Sequence, residues 1–164
     1  MRNFCRSITP IRLKRQSRMY LPLHIDLRGK KVLVIGFGKV GKRRSEKLLK
    51  AGASVTVIDR KKVQTKKSVK FIQKNLRADN IPLLKGYFLI VASTNDKKLN
   101  AAIARKAKWE GCLVNRTDLF RDGDVIFPAV VEMGAGVLSF ETLGRSPQLS
   151  KQIKKALEHE LPKR

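Results

Sequence analysis

Residues 32–44 read VLVIGFGKVGKRR, an apolar, β-branched run that breaks into glycine and then into dense positive charge. The run 31–35 lacks polar alternation and so has the pattern of a strand buried on both faces of a parallel sheet. From 39 to 51 the pattern turns helical. Gly41, Ser45, Leu48 and Gly52 fall at i, i+4, i+7 and i+11, which puts small and apolar groups on one side and leaves Lys42, Arg43, Lys47 and Lys50 to solvent. A strand that passes through a glycine turn straight into a helix commits the chain to a crossover. The strand after such a crossover runs parallel to the first.

The rest of the chain repeats this alternation. A second strand is expected at 53–58, ended by Asp59 and by a solvated crossover carrying Arg60, Lys61, Lys62, Lys66 and Lys67. Further strands are expected at 69–73, 87–92 and 112–115, with a helix over 96–109 that places Leu99, Ile103 and Ala107 on one face. The expected class is therefore α/β, a Rossmann-like parallel sheet with right-handed crossovers. After Asp118 the rhythm changes. Two extended runs, 125–131 and 137–141, flank a glycine-rich turn and predict a strand pair outside the parallel series. A terminal helix then opens at Ser146, a candidate N-cap followed by Pro147, and runs to about Glu160.

At 164 residues the chain has room for one core of ordinary size. Lys and Arg number 37 against 13 Asp and Glu, a formal net charge of +24, which favours anionic partners without naming the anion. The two cysteines, Cys5 and Cys112, lie far apart in neither metal-ligand nor disulfide-framework spacing, which points to a reducing, cytoplasmic compartment. His24 and His159 have no Cys or second His nearby, so no metal site is expected; His24 is read as packing at the start of the fold and His159 as lying on a solvated helix. The longest strictly apolar run, 87–92, is far short of the roughly 20 residues of a membrane-spanning helix. Residues 1–18 carry six basic residues and no acid and are expected to form a disordered basic extension. The chain thus divides into that extension, a dinucleotide-binding region at 19–118 and a closing segment at 119–164.

The glycines at 36, 38 and 41 have the G-x-G-x-x-G spacing. Gly36 permits the tight strand-to-helix turn, Gly38 lets the backbone approach a pyrophosphate, and Gly41 lets the helix pack close to the sheet. The intervening Phe37, Lys39 and Val40 complete the loop and first helical turn, whose free N–H groups meet phosphate. Asp59, close to the expected interval of about 20 residues beyond the loop, can accept from the adenosine ribose hydroxyls and repel a 2′-phosphate, which favours NAD over NADP. Arg60, with Lys61 and Lys62, stands where a cation could instead hold that phosphate. No P-loop lysine–hydroxyl pair follows the glycines, so ATPase chemistry has no support.

Further pieces, LPLHIDLRGKKVLVIGFGKVGKRR, FLIVASTNDKKLN, CLVNRTD, DVIFPAVV and LGRSPQLSKQIKKALE, occur in that order. Together they resemble the precorrin-2 dehydrogenase family, the N-terminal module of siroheme synthases, over roughly residues 21–161. The resemblance implies oxidation of precorrin-2 to sirohydrochlorin with hydride passing to NAD⁺, on the route to siroheme, and the basic charge suits a polycarboxylate substrate. It makes Asp118, in NRTD where the family has an Asn-Val-Val-Asp-like motif, the candidate acid/base group. It also makes Asn115, Arg145 and Ser146 candidate substrate contacts, and Thr94 a contact to the nicotinamide or its ribose. Asp96 either shares that turn or caps the following helix. The strand pair resembles the family's dimerisation segment, so a homodimer is expected and nucleic acid is not needed to explain the charge.

Two departures from the family stand out. GFGKVG replaces a Gly-Gly-Gly-x-Val-Ala pattern, and residues 141–144 place the bulkier, negative Glu141 where the family has a Ser-Thr-Gly-Gly-like stretch. Relatives usually continue into a further helical region where this sequence stops at Arg164, so the closing segment is expected to be shortened. Ferrous-ion insertion, a second activity of some relatives, stays open. The alternative to an enzyme is a non-catalytic NAD-binding regulator similar to the nucleotide-sensing domains of potassium-transport proteins, which would need the glycine loop and Asp59 but not Asp118.

Overall fold

The computed structural model describes residues 20–63, 68–133, 136–142 and 146–160; the basic extension 1–18 and Arg145 lie outside them. Five parallel strands form one sheet in the order β3-β2-β1-β4-β5: β1 Lys31–Ile35, β2 Ser54–Asp59, β3 Lys70–Gln73, β4 Leu89–Ala92 and β5 Leu113–Arg116. Helix α1, Lys39–Lys50, connects β1 to β2, and α2, Lys97–Trp109, connects β4 to β5. The order reverses between β1 and β4. Open α/β sheets bind ligands at the carboxyl ends of the strands at such a switch point.

Side-chain alternation along the strands builds a core on each side of the sheet. Val32, Val34, Val55, Val57 and Val91 face α1 with Leu48, whereas Leu33, Ile35, Ile90 and Val114 face α2 with Ile103 and Ala107. Each of these valines, leucines and isoleucines contributes roughly 1.5–3 kcal/mol on burial. On α1, Gly41, Ser45 and Leu48 are buried as the small stripe requires. Gly52, assigned to the same stripe, instead lies past the helix end in an exposed turn with φ +80, where its backbone N–H bonds the carbonyl of Leu49. His24 is exposed and not packed at the start of the fold.

The closing segment differs from expectation at its start. β6 spans Ala129–Met133 and pairs antiparallel with β7, Gly136–Phe140, so the first strand begins four residues later than the apolar run at 125 suggested. Val125 and Phe127 are drawn into the α1-side core, where the Arg44 guanidinium stacks 4.2 Å from the Phe127 ring centre, and Pro128 has no N–H to give a ladder. α3, Pro147–Glu160, packs on β6. Among the described residues no helix is long and apolar enough to cross a membrane, and no three or more His, Cys, Asp or Glu side chains gather as a metal site.

Candidate dinucleotide site

The loop between β1 and α1 is held so closely that two of its glycines have no room for a side chain. Gly36 has φ +93, a conformation that favours glycine, and a Cβ there would sit 2.6 Å from the Ser93 carbonyl oxygen. A Cβ on Gly41 would lie 2.0 Å from the Gly36 carbonyl oxygen. Ser93, at the end of β4, fastens this contact, its hydroxyl lying 2.7 Å from the Gly36 carbonyl oxygen and 3.1 Å from that of Ile35. Gly38 is different. It is the N-cap of α1 in an extended conformation, with no side-chain cap, and a Cβ there would face open space. The first-turn amides of α1, including those of Lys39 and Val40, are therefore left without a side-chain acceptor, the arrangement that binds anions.

Asp59 closes the other side. Its Oδ2 accepts from the Phe37 amide at 2.6 Å and its Oδ1 from the Lys61 amide at 2.9 Å, tying the tip of β2 to the glycine loop. Each oxygen keeps further acceptor capacity. A cavity of about 500 Å³ opens here, lined by Gly36, Phe37, Gly38, Asp59, Arg60 and Thr94 among others. Lys61 and Lys74 also border it, so the carboxylate sits in a basic wall. A nicotinamide dinucleotide suits these residues on two local observations: the uncapped helix start, and the bare Gly38 position where a Cβ would take up space.

Thr94 is joined to Asp118 through a residue that sequence pattern did not single out. Asn100 of α2 is fully buried; its Oδ1 accepts from the Thr94 amide at 3.1 Å and hydroxyl at 2.7 Å, while its Nδ2 donates to the Thr94 carbonyl at 3.0 Å and to Asp118 Oδ1 at 3.2 Å. Asp118 is also gripped by Arg116, Nε to Oδ1 at 3.0 Å and Nη2 to Oδ2 at 2.9 Å. Burial alone pushes the Asp118 carboxyl up, but the Arg116 fork, the backbone and the Asn100 amide outweigh it and leave the group below its ordinary value. Asp96 caps α2, accepting from the Lys98 and Leu99 amides at 2.8 and 3.0 Å.

The other expected residues fall elsewhere. The side chains of Lys39 and Val40 are exposed and do not line the cavity. Asn115, expected at the substrate, is buried and donates to the Val125 carbonyl at 2.7 Å, with its Oδ1 unpartnered; it pins the closing segment to β5. The Ser146 hydroxyl accepts from the Leu149 amide at 3.1 Å, the N-cap bond expected of it. Ser93, Asn100 and Arg116 were missed. The i, i+4 spacing of Asp96 and Asn100, which puts both on one face at the start of α2, was the available sign for Asn100.

A family model described as "Putative NAD(P)-binding" matches residues 23–129. Among solved structures, SirC, precorrin-2 dehydrogenase, superposes with a TM-score of 0.68 at 32% sequence identity, covering 88% of this chain and 72% of that one. The chain belongs to the precorrin-2 dehydrogenase family. The siroheme synthase of Buchnera aphidicola subsp. Acyrthosiphon pisum is 36% identical over 146 residues, 87% of this chain and 31% of that protein. The precorrin-2 dehydrogenase of Methanosarcina barkeri is 31% identical over 150 residues, 85% of this chain and 65% of that protein. The chain thus spans under a third of the siroheme synthase and 65% of the Methanosarcina precorrin-2 dehydrogenase.

Proposed function

We propose that this protein oxidises precorrin-2 to sirohydrochlorin using NAD⁺, as a step in siroheme formation. The observation that carries the reading is the hydrogen-bonded linkage Thr94–Asn100–Asp118, which through the buried Asn100 ties the turn beside the dinucleotide cavity to the carboxylate at the position of the family's acidic motif. The α1 amides and Gly38 would hold the diphosphate, Asp59 the adenosine ribose, and Thr94 the nicotinamide half. Asp59 favours NAD⁺, because a 2′-phosphate would meet a carboxylate already oriented by two backbone amides.

The bound nicotinamide supplies the hydride acceptor. Oxidation removes one hydrogen with its electron pair and a second as a proton. The electron pair of the second C–H bond stays in the macrocycle as a new double bond. Asp118, ionised at neutral pH, can stand opposite positive charge that develops as hydride leaves and can then take the proton. A homodimer fits the same reading: Val137 and Leu138 on β7 are 51% and 37% exposed and would be covered by a second copy, which sedimentation can test.

Anaerobic incubation with precorrin-2 and NAD⁺, followed by the sirohydrochlorin spectrum, tests substrate and chemistry together. Asp118→Asn is expected to bind NAD⁺ normally and to lose at least about a hundredfold in kcat, the usual contribution of a positioned acid/base group. Wild-type turnover by that variant would remove Asp118 from the mechanism. NAD⁺ binding with no turnover by the wild-type protein would favour the regulator.

A further inference from the structure

We infer that Arg116 is a positioning residue for the proposed oxidation, a two-point clamp that fixes the orientation and charge of the Asp118 carboxylate. The inference rests on the reading of Asp118 as the proton-handling group. In NRTD, Arg116 stands at the end of β5 two residues before Asp118, which brings a cation beside that carboxylate.

All three guanidinium nitrogens are engaged. Nε and Nη2 form the fork on Asp118, Nη2 also donates to the Lys97 carbonyl of α2 at 3.2 Å, and Nη1 donates to Asp122 Oδ2 at 2.5 Å. The side chain is 8% exposed and that of Asp118 16% exposed, so the pair is partly shielded from solvent at the surface end of β5. The groups facing it come from three elements: Arg116 itself on β5, the neutral Asn100 amide and the Lys97 carbonyl on α2, and Asp122 from the 3-10 turn Phe120–Asp122. Lys108 of α2 reaches Asp122 from the far side at 3.6 Å. Asp122 and Asp118 share one guanidinium, each through a charge-assisted hydrogen bond.

A guanidinium held at this many points cannot swing away, and the carboxylate it grips cannot rotate. Bidentate pairing fixes direction as well as charge, which an ammonium does not do. Asp118 is therefore presented to a substrate as an ionised acceptor in one orientation. It would stay so at acid pH values where a valine at position 116 would let it protonate.

The test compares Arg116→Val, Arg116→Lys, Arg116→Val/Asp122→Asn and Asp118→Asn, using the pH dependence of kcat and the titration of the Asp118 carboxyl carbon by NMR, assigned with Asp118→Asn. In Arg116→Val the acid limb of kcat and the carboxyl titration are both expected to move up by about 1 to 2 in pH, the size of effect an adjacent cation exerts. The double variant should shift in the same direction, because it neutralises the carboxylate that Arg116→Val leaves with Lys108 alone and so guards against misfolding. Arg116→Lys keeps the charge and loses the fork; its limb should hardly move while kcat falls about tenfold. A folded Arg116→Val or double variant with wild-type limb and titration overturns the clamp. If Asp118→Asn turns over normally, the reading of Asp118 fails instead, and Arg116 loses its positioning role with it. A merely structural arginine would change unfolding and leave both titrations in place.

Discussion

Two glycines three residues apart should lose stability very differently on the same substitution. At Gly41 an alanine Cβ would lie 2.0 Å from the Gly36 carbonyl oxygen and 2.9 Å from the Ser93 hydroxyl. The first contact is with backbone, so helix and loop would have to part by about 1 Å, an overpacking strain of roughly 1–3 kcal/mol. Alanine's better helix propensity returns only about 1 kcal/mol. Gly41→Ala is thus expected to lower stability by up to about 2 kcal/mol and to displace the Gly36 peptide, weakening NAD⁺ binding as well. At Gly38 a Cβ meets nothing within 4 Å and the backbone is extended, so Gly38→Ala meets no clash and should lower stability only by the roughly 0.5–1 kcal/mol that separates alanine from glycine at a helix N-cap. The open space there is where a diphosphate would sit, so the same alanine should weaken NAD⁺ binding at least about tenfold. Urea unfolding and titration calorimetry separate the two effects. Wild-type NAD⁺ affinity in Gly38→Ala would refute the idea that this helix start cradles phosphate.

Asp59→Asn should keep an acceptor for the Phe37 amide but lose the charge. NAD⁺ binding is expected to weaken about tenfold and the preference over NADP⁺ to shrink, as the loss of a charge-assisted hydrogen bond implies. An unchanged ratio of the two dissociation constants would count against the ribose role. Glu110 holds the Lys85 amide at 2.6 Å and Lys106 Nζ at 2.7 Å, and the Lys106 hydrogen bond holds its carboxyl below the ordinary value despite desolvation. A depressed carboxylate stabilises the fold above its unfolded-state pKa, and the benefit is lost as pH falls through the folded value. Glu110→Gln should accordingly lower the melting temperature at neutral pH and flatten the decline in acid; a parallel decline in both proteins would contradict this.

Most of the parallel sheet was legible because its strands are buried on both faces and their β-branched runs interrupt an otherwise basic chain. β1 has the bounds that its pattern predicts, and Asp96 and Ser146 cap the helices they precede. The pattern misled where tertiary packing competed with propensity. Val125 and Phe127 look like strand residues, but the α1-side core takes them. Asn115 lies in the motif that marked the substrate side and is used to hold the Val125 carbonyl.

The sequence alone determined the β–α–β order, the glycine positions that only a bare backbone can occupy, and the acid at the tip of β2, because each depends on local geometry or on period. Only the folded chain decided which polar groups meet across it. Ser93 reaches back to Gly36, Asn100 joins Thr94 to Asp118, and Arg116 lies between two carboxylates. Such contacts depend on how neighbouring strands and helices are registered against one another, and no local periodicity records that register.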